Sequence, residues 1–71
     1  MTKLPQLSHE RVVRALKKAG FTILREGKHI SMTDGSRILI IPRHHTIKQG
    51  TLKQILLSAG LTVEDFIRFC R

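Results

Sequence analysis

Phe21-Thr22-Ile23-Leu24-Arg25-Glu26, Gly27-Lys28, His29-Ile30-Ser31-Met32-Thr33, Asp34-Gly35 and Arg37-Ile38-Leu39-Ile40-Ile41 follow one another with only Ser36 between the last two. Three short runs rich in β-branched residues, separated by bends that contain glycine, read as a three-stranded antiparallel meander. Gly27 punctuates the first bend. Asp34-Gly35 supplies the residues of a two-residue type I′ hairpin, with Thr33 and Ser36 flanking it. In the middle run the period of two puts Ile30 and Met32 on one face and His29, Ser31 and Thr33 on the other. If helices cover the first pair, His29 faces outward. The third run is apolar on both faces, which in so short a chain implies that one face is covered by a partner protein.

Upstream of the meander, Ser8 is a good N-cap, Glu10 falls in a first helical turn, and Lys17 and Lys18 fall in a last one. All three placements suit the helix dipole and predict a helix from about His9 to Ala19. Leu7 and Val12 are spaced for a hydrophobic staple, and Val12, Val13, Leu16 and Ala19 form the apolar stripe. Gly20 ends the helix as a left-handed cap.

Downstream, Pro42 stops the third strand, and Arg43-His44-His45-Thr46-Ile47-Lys48 is a polar connection carrying four potential cations. From about Gln49 to Ala59, Leu52, Ile55, Leu56 and Ala59 have the spacing of one buried helical face, and Gly60 closes the element. Gly50 and Thr51 open that helix, where free N–H groups suit a phosphate; the plainer role of Thr51 is to cap or pack the helix start. Thr62 and Asp65 are a capping pair for a last short helix in which Val63, Phe66, Ile67 and Cys70 repeat the apolar spacing. Ala19-Gly20-Phe21 and Ala59-Gly60-Leu61 look alike only because both finish a helix. With no internal repeat and no linker, residues 1–71 read as a single α+β domain, αβββα plus a short C-terminal helix.

A chain of 71 residues has room for one modest core and no second domain to close over a substrate, so any site is shallow. Its 13 Lys and Arg against 5 Asp and Glu give a formal net charge of +8, which favours polyanionic partners. Arg11, Arg14, Lys17, Lys18 and Lys53 read partly as solvated helix faces, yet the excess is beyond what solubility alone requires, and attraction to RNA accounts for it better. The single cysteine excludes an internal disulfide framework and suits a reducing compartment, the cytoplasm. No apolar run approaches a membrane span, and Met1-Thr2-Lys3-Leu4-Pro5-Gln6 lacks the apolar stretch of a secretory signal. The only aromatic residues are three phenylalanines, which argues against a base-stacking platform for single strands.

Among the histidines, His29 stands on a strand beside a glycine turn, where a rigid backbone presents an imidazole to solvent. Imidazole changes charge near neutral pH and can move protons on a bound polyanion. Spacing alone equally allows a strand-edge histidine that merely tolerates solvent. His44, just after Pro42, either contacts substrate or holds its loop by bonding to backbone carbonyls. His9 and His45 read as ordinary exposed histidines without a role. His29, His44, His45 and Cys70 lack the spacing of known zinc patterns, and Cys70 suits a buried stripe better than a ligand shell, so neither a metal nor a cofactor is expected.

Leu4-Pro5, Ala19-Gly20-Phe21, Gly27-x-His29, Asp34-Gly35, Ile41-Pro42-x-His44 and Gly50-Thr51-Leu52-x-x-Ile55-Leu56-x-x-Ala59-Gly60, in that order, resemble the HicA toxins across nearly the whole chain. The resemblance implies a fold like that of double-stranded-RNA-binding domains, metal-independent cleavage of mRNA by one catalytic histidine, and neutralisation by a HicB antitoxin. Carried over by position, the catalytic histidine falls on His29, its preceding glycine on Gly27, and the histidine of the Pro-x-His segment on His44. Between glycine and histidine, where the family commonly has Ser or Gly, this chain has Lys28, which either adds a phosphate contact or disturbs the turn. Charge and position then make Lys28, Arg43, His44 and Lys48 the candidate RNA-binding residues. Two other readings compete: a noncatalytic double-stranded-RNA-binding module of the same element order, and an interaction subunit for an acidic partner. Against the former, the usual lysine cluster at the start of the last helix is reduced to Lys48 and Lys53.

Overall fold

The computed structural model describes residues 7–70; the readings made on Leu4-Pro5 and on residues 1–6 lie outside the described residues, as does Arg71. The elements are α1 (His9–Lys18), β1 (Thr22–Glu26), β2 (His29–Thr33), β3 (Ile38–Pro42), α2 (Gln49–Ala59) and α3 (Val63–Phe69). The three strands form an antiparallel sheet in the order β1-β2-β3, as the three runs predict.

Local chemistry sets the helix ends. Ser8 has extended backbone and its Oγ accepts the Arg11 amide at 3.4 Å, while Thr62 Oγ1 accepts the Asp65 amide at 3.1 Å. Both long helices finish in the same paired-bond motif. The Phe21 amide donates to the Leu16 carbonyl and the Gly20 amide to that of Lys17; the Leu61 amide donates to Leu56 and the Gly60 amide to Leu57. Gly20 and Gly60 take positive φ, 103° and 71°, which accounts for the likeness of the two segments. α2 begins without help from a side chain: Lys48 occupies the cap and makes no capping bond, and Thr51 is exposed inside the first turn. The capping role expected of Thr51 is therefore not taken up, because the helix starts two residues before it.

The core is one cluster between the sheet and the helices. Val12, Leu16, Met32, Leu39, Ile41, Ile47, Leu52 and Phe66 are its largest fully buried side chains. Ile30 and Met32 face it, as do Leu39 and Ile41 of β3, while His29, Ser31 and Thr33 lie on the opposite side of β2. Ile38 and Ile40, 64% and 54% exposed, give the outer face its apolar half. Ile47, read from sequence as part of a polar connection, is fully buried. It is held by an isolated bridge to Leu7, its amide donating to the Leu7 carbonyl at 2.7 Å.

Two expectations are corrected, and one irregularity appears that no reading of the sequence anticipated. The β2–β3 turn is not a two-residue type I′ hairpin: Thr33 pairs with Ile38, so Asp34, Gly35, Ser36 and Arg37 all lie in the loop, and only Gly35 among them has positive φ. The Asp34 carboxylate causes this by accepting the Ser36 and Arg37 amides at 2.9 and 2.8 Å through Oδ1, while Oδ2 lies 3.6 Å from the Arg37 guanidinium. Thr33 Oγ1 closes the loop by donating to the Arg37 carbonyl and accepting the Gly35 amide. The second correction is that Cys70 is exposed, not part of a buried stripe: α3 has room for two turns, and Phe66 alone of its residues is fully inside. The irregularity lies in β1 at Leu24, between the pairs Ile23–Met32 and Arg25–Ser31, and leaves Leu24 56% exposed.

Candidate functional site: the β1–β2 corner

His29 opens β2, is exposed, and lies across the ladder from Pro42. Its backbone is fixed from both sides. The Gly27 amide donates to the His29 carbonyl at 3.1 Å, and Arg43 Nη1 donates to the Gly27 carbonyl at 3.0 Å. The guanidinium of a residue just past β3 thus braces the turn that carries Lys28 at its apex and His29 at its exit. Gly27 does not owe its place to backbone conformation. Its φ is not positive, and a Cβ built on it would meet nothing within 4 Å.

His44 sits one residue beyond this brace. Its amide donates to the Pro42 carbonyl at 3.0 Å, and its own carbonyl accepts two donors from His9, the amide at 3.1 Å and ring Nδ1 at 3.0 Å. A carbonyl only accepts, so His9 carries a proton on Nδ1. This pair of bonds ties the first turn of α1 to the loop holding Arg43 and His44. His9, read from sequence as an ordinary exposed residue, is half-buried and structural. No local signal marks it, since its partner is 35 positions away. The backbone of His44 holds the loop while its side chain stays exposed.

The structure therefore gathers Lys28, His29 and Arg43 at one corner and places His44 beside them through the backbone. Lys48 is exposed at the start of α2, past the point where Ile47 enters the core. Arg25, which sequence reasoning did not single out, shares the outer face with His29, being paired with Ser31 two residues along β2. Pairing in the sheet is the signal that would have found it. Arg43 also lines a groove of about 600 Å³ between α1 and the β1 edge, together with His9, Arg14, Lys17 and Glu26.

The corner is cationic and open, and Glu26 is the nearest acidic residue along the chain. Among the described residues no three of His, Cys, Asp and Glu gather closely enough to hold a metal ion. Proton transfer by an imidazole and charge stabilisation by Lys28 and Arg43 are the chemistry these residues can offer. No described helix is long and apolar enough to cross a membrane.

Comparison with curated proteins gives no match. A family model does match, that of the HicA toxin of bacterial toxin-antitoxin systems, over residues 10–61, which takes in α1 except His9, the whole sheet, the corner and α2. That match covers well over half of the 71 residues, and the chain belongs to the HicA toxin family.

Proposed function

We propose that this toxin is a metal-independent endoribonuclease acting on mRNA in the cytoplasm, with His29 as its catalytic residue. One observation carries the reading: an exposed imidazole on a rigid strand end, with a lysine at the adjoining apex and an arginine bracing the same turn. In the reaction the RNA 2′-oxygen loses its proton and bonds to phosphorus, and the bond from phosphorus to the leaving 5′-oxygen breaks as that oxygen gains a proton. His29 acts as base or acid at one end of this exchange. Lys28 and Arg43 offset the charge that develops on the phosphorus oxygens, and His44 and Lys48 hold flanking phosphates. One positioned acid–base group contributes about 10²- to 10⁴-fold, enough for a toxin that needs few turnovers.

Family membership carries with it an antitoxin partner. We assign that role to a HicB-type protein. Its acidic surface would cover the cations of the corner while an apolar patch meets Ile38 and Ile40, the exposed half of the same sheet face. Charging Ile40 (Ile40→Lys) then weakens antitoxin binding and leaves RNA cleavage in place; undiminished binding would move the interface elsewhere.

The direct test incubates antitoxin-free protein with labelled single-stranded mRNA in excess EDTA, beside a folded His29→Ala variant. Cleavage by the parent alone supports the reading. No cleavage by either, with binding to duplex RNA, favours the noncatalytic double-stranded-RNA-binding module that the αβββα order also suits. Equal cleavage by both removes His29 from the mechanism.

A further inference from the structure

A second cationic site lies away from the His29 corner, where α3 meets α1. A cleft of about 140 Å³ is lined by Arg11, Arg14, Lys18, Phe69 and Cys70. Three features set it apart from a solvated helix face. Its charged lining is entirely cationic, whereas the neighbouring groove of α1, with which it shares Arg14, includes Glu10 and Glu26. Its cations come from successive turns of α1, with Arg11 and Arg14 spaced as neighbours on one helix surface. Two of them act on the same thiol: partial burial pushes the Cys70 pKa up, and the charges of Arg11 and Lys18 both pull it the other way. Opposite them, α3 supplies a wall of phenyl ring and thiol. That wall lies beyond the family-matched residues 10–61, whereas the cations lie within them.

We propose that the α1–α3 cleft binds a backbone phosphate of the RNA at a distance from the scissile bond, anchoring the strand through Arg11 and Arg14. The size argues for this ligand. Sites for whole small molecules begin at about 300 Å³, so the cleft is too small for a nucleotide and suited to a phosphate group. Two guanidiniums offer forked donors matched to phosphate oxygens. The proposal rests on the ribonuclease reading above, because it takes the same RNA as its ligand.

Cys70 is the only cysteine of the chain and sits in the cleft, so it reports occupancy without reference to catalysis. The experiment uses the full-length His29→Ala protein and a fluorescein-labelled single-stranded RNA of about 20 nucleotides. Binding is followed by anisotropy while the rate of Cys70 alkylation by iodoacetamide is measured in the same mixture. Saturating RNA is expected to slow alkylation several-fold. A further Arg11→Gln/Arg14→Gln pair, made in that background and shown to be folded by circular dichroism, should abolish the protection. It should also lower the slope of log affinity against log salt by about 0.7 for each phosphate that is no longer neutralised. Lys53→Gln, on the far helix, should leave the protection intact. RNA that binds without protecting Cys70, or protection that survives the double substitution, overturns the cleft proposal and leaves the ribonuclease reading standing. If no RNA binds at all, that reading fails and takes the cleft proposal with it.

Discussion

Phe66→Ala is expected to bring the protein close to global unfolding. Phe66 is 0% exposed and is the one fully buried side chain of α3, which packs against both α1 and α2. Truncating a buried phenylalanine costs about 3–5 kcal/mol, combining the lost transfer energy with the cavity left behind. A chain of 71 residues has a stability of about 4–11 kcal/mol on the usual per-residue scale. One side chain outside the family-matched segment thus carries roughly a quarter or more of the total. At about 4–8 °C per kcal/mol for domains of this size, the melting temperature should fall by at least about 12 °C. Thermal denaturation followed by circular dichroism at 222 nm measures it. Phe69→Ala, at a half-buried position, should lose less. A fall of under about 4 °C for Phe66→Ala would refute the reasoning and show that α3 is an ornament on a core complete without it.

Gly60→Ala should destabilise by about 1–2 kcal/mol, since φ is +71° there and the new Cβ would lie 3.0 Å from the Arg37 guanidinium carbon; urea midpoints compare it with the parent. Gly27→Ala, with neither a positive φ nor a neighbour within 4 Å, should keep the parent midpoint, and a loss as large as that of Gly60→Ala would mean the turn is misjudged. Asp34 is held below its ordinary 3.8 by the Arg37 amide and then the Ser36 amide, so its contribution to stability is present above that value and is lost as pH falls through the lower folded value. Melting temperatures between pH 6 and pH 2 should therefore drop less steeply below pH 4 in Asp34→Ala than in the parent; parallel curves would contradict the assignment. His29→Ala, altering an exposed side chain, should change the melting temperature by no more than about 4 °C while abolishing cleavage.

Where local chemistry decides the outcome, the sequence was readable. Ser8 and Thr62 cap as their spacing predicts, the glycines after Ala19 and Ala59 end helices, and Leu52, Ile55, Leu56 and Ala59 are buried together. The period of two correctly put His29 outside and Ile30 inside. The Asp34-Gly35 turn misled because a type I′ hairpin needs positive φ at both residues, whereas the aspartate gains more by folding its carboxylate back onto two amides. Arg43 and Gly27, or His9 and His44, meet only once the chain has closed, 16 and 35 positions apart, so no window of sequence shows them. Ile47 escaped notice for a similar reason, a lone apolar residue in a basic stretch that finds its partner in Leu7. His29 was the legible part of the candidate site; the brace that holds it was not.

The two isoleucines on the outer face of β3 also bear on how the toxin behaves at high concentration. β3 is hydrogen-bonded to β2 on one side only, and its outward side chains are Ile38 and Ile40. An edge strand of this kind is a template for further strands, and natural proteins protect such edges with charge. Here the protection acts at long range: the +8 net charge makes copies repel one another before their strands can meet. At 0.15 M ionic strength that repulsion reaches only about 8 Å, and at 1 M about 3 Å. Added salt is thus expected to bring the exposed edges of the free protein within reach of one another, so that its colloidal stability falls as ionic strength rises.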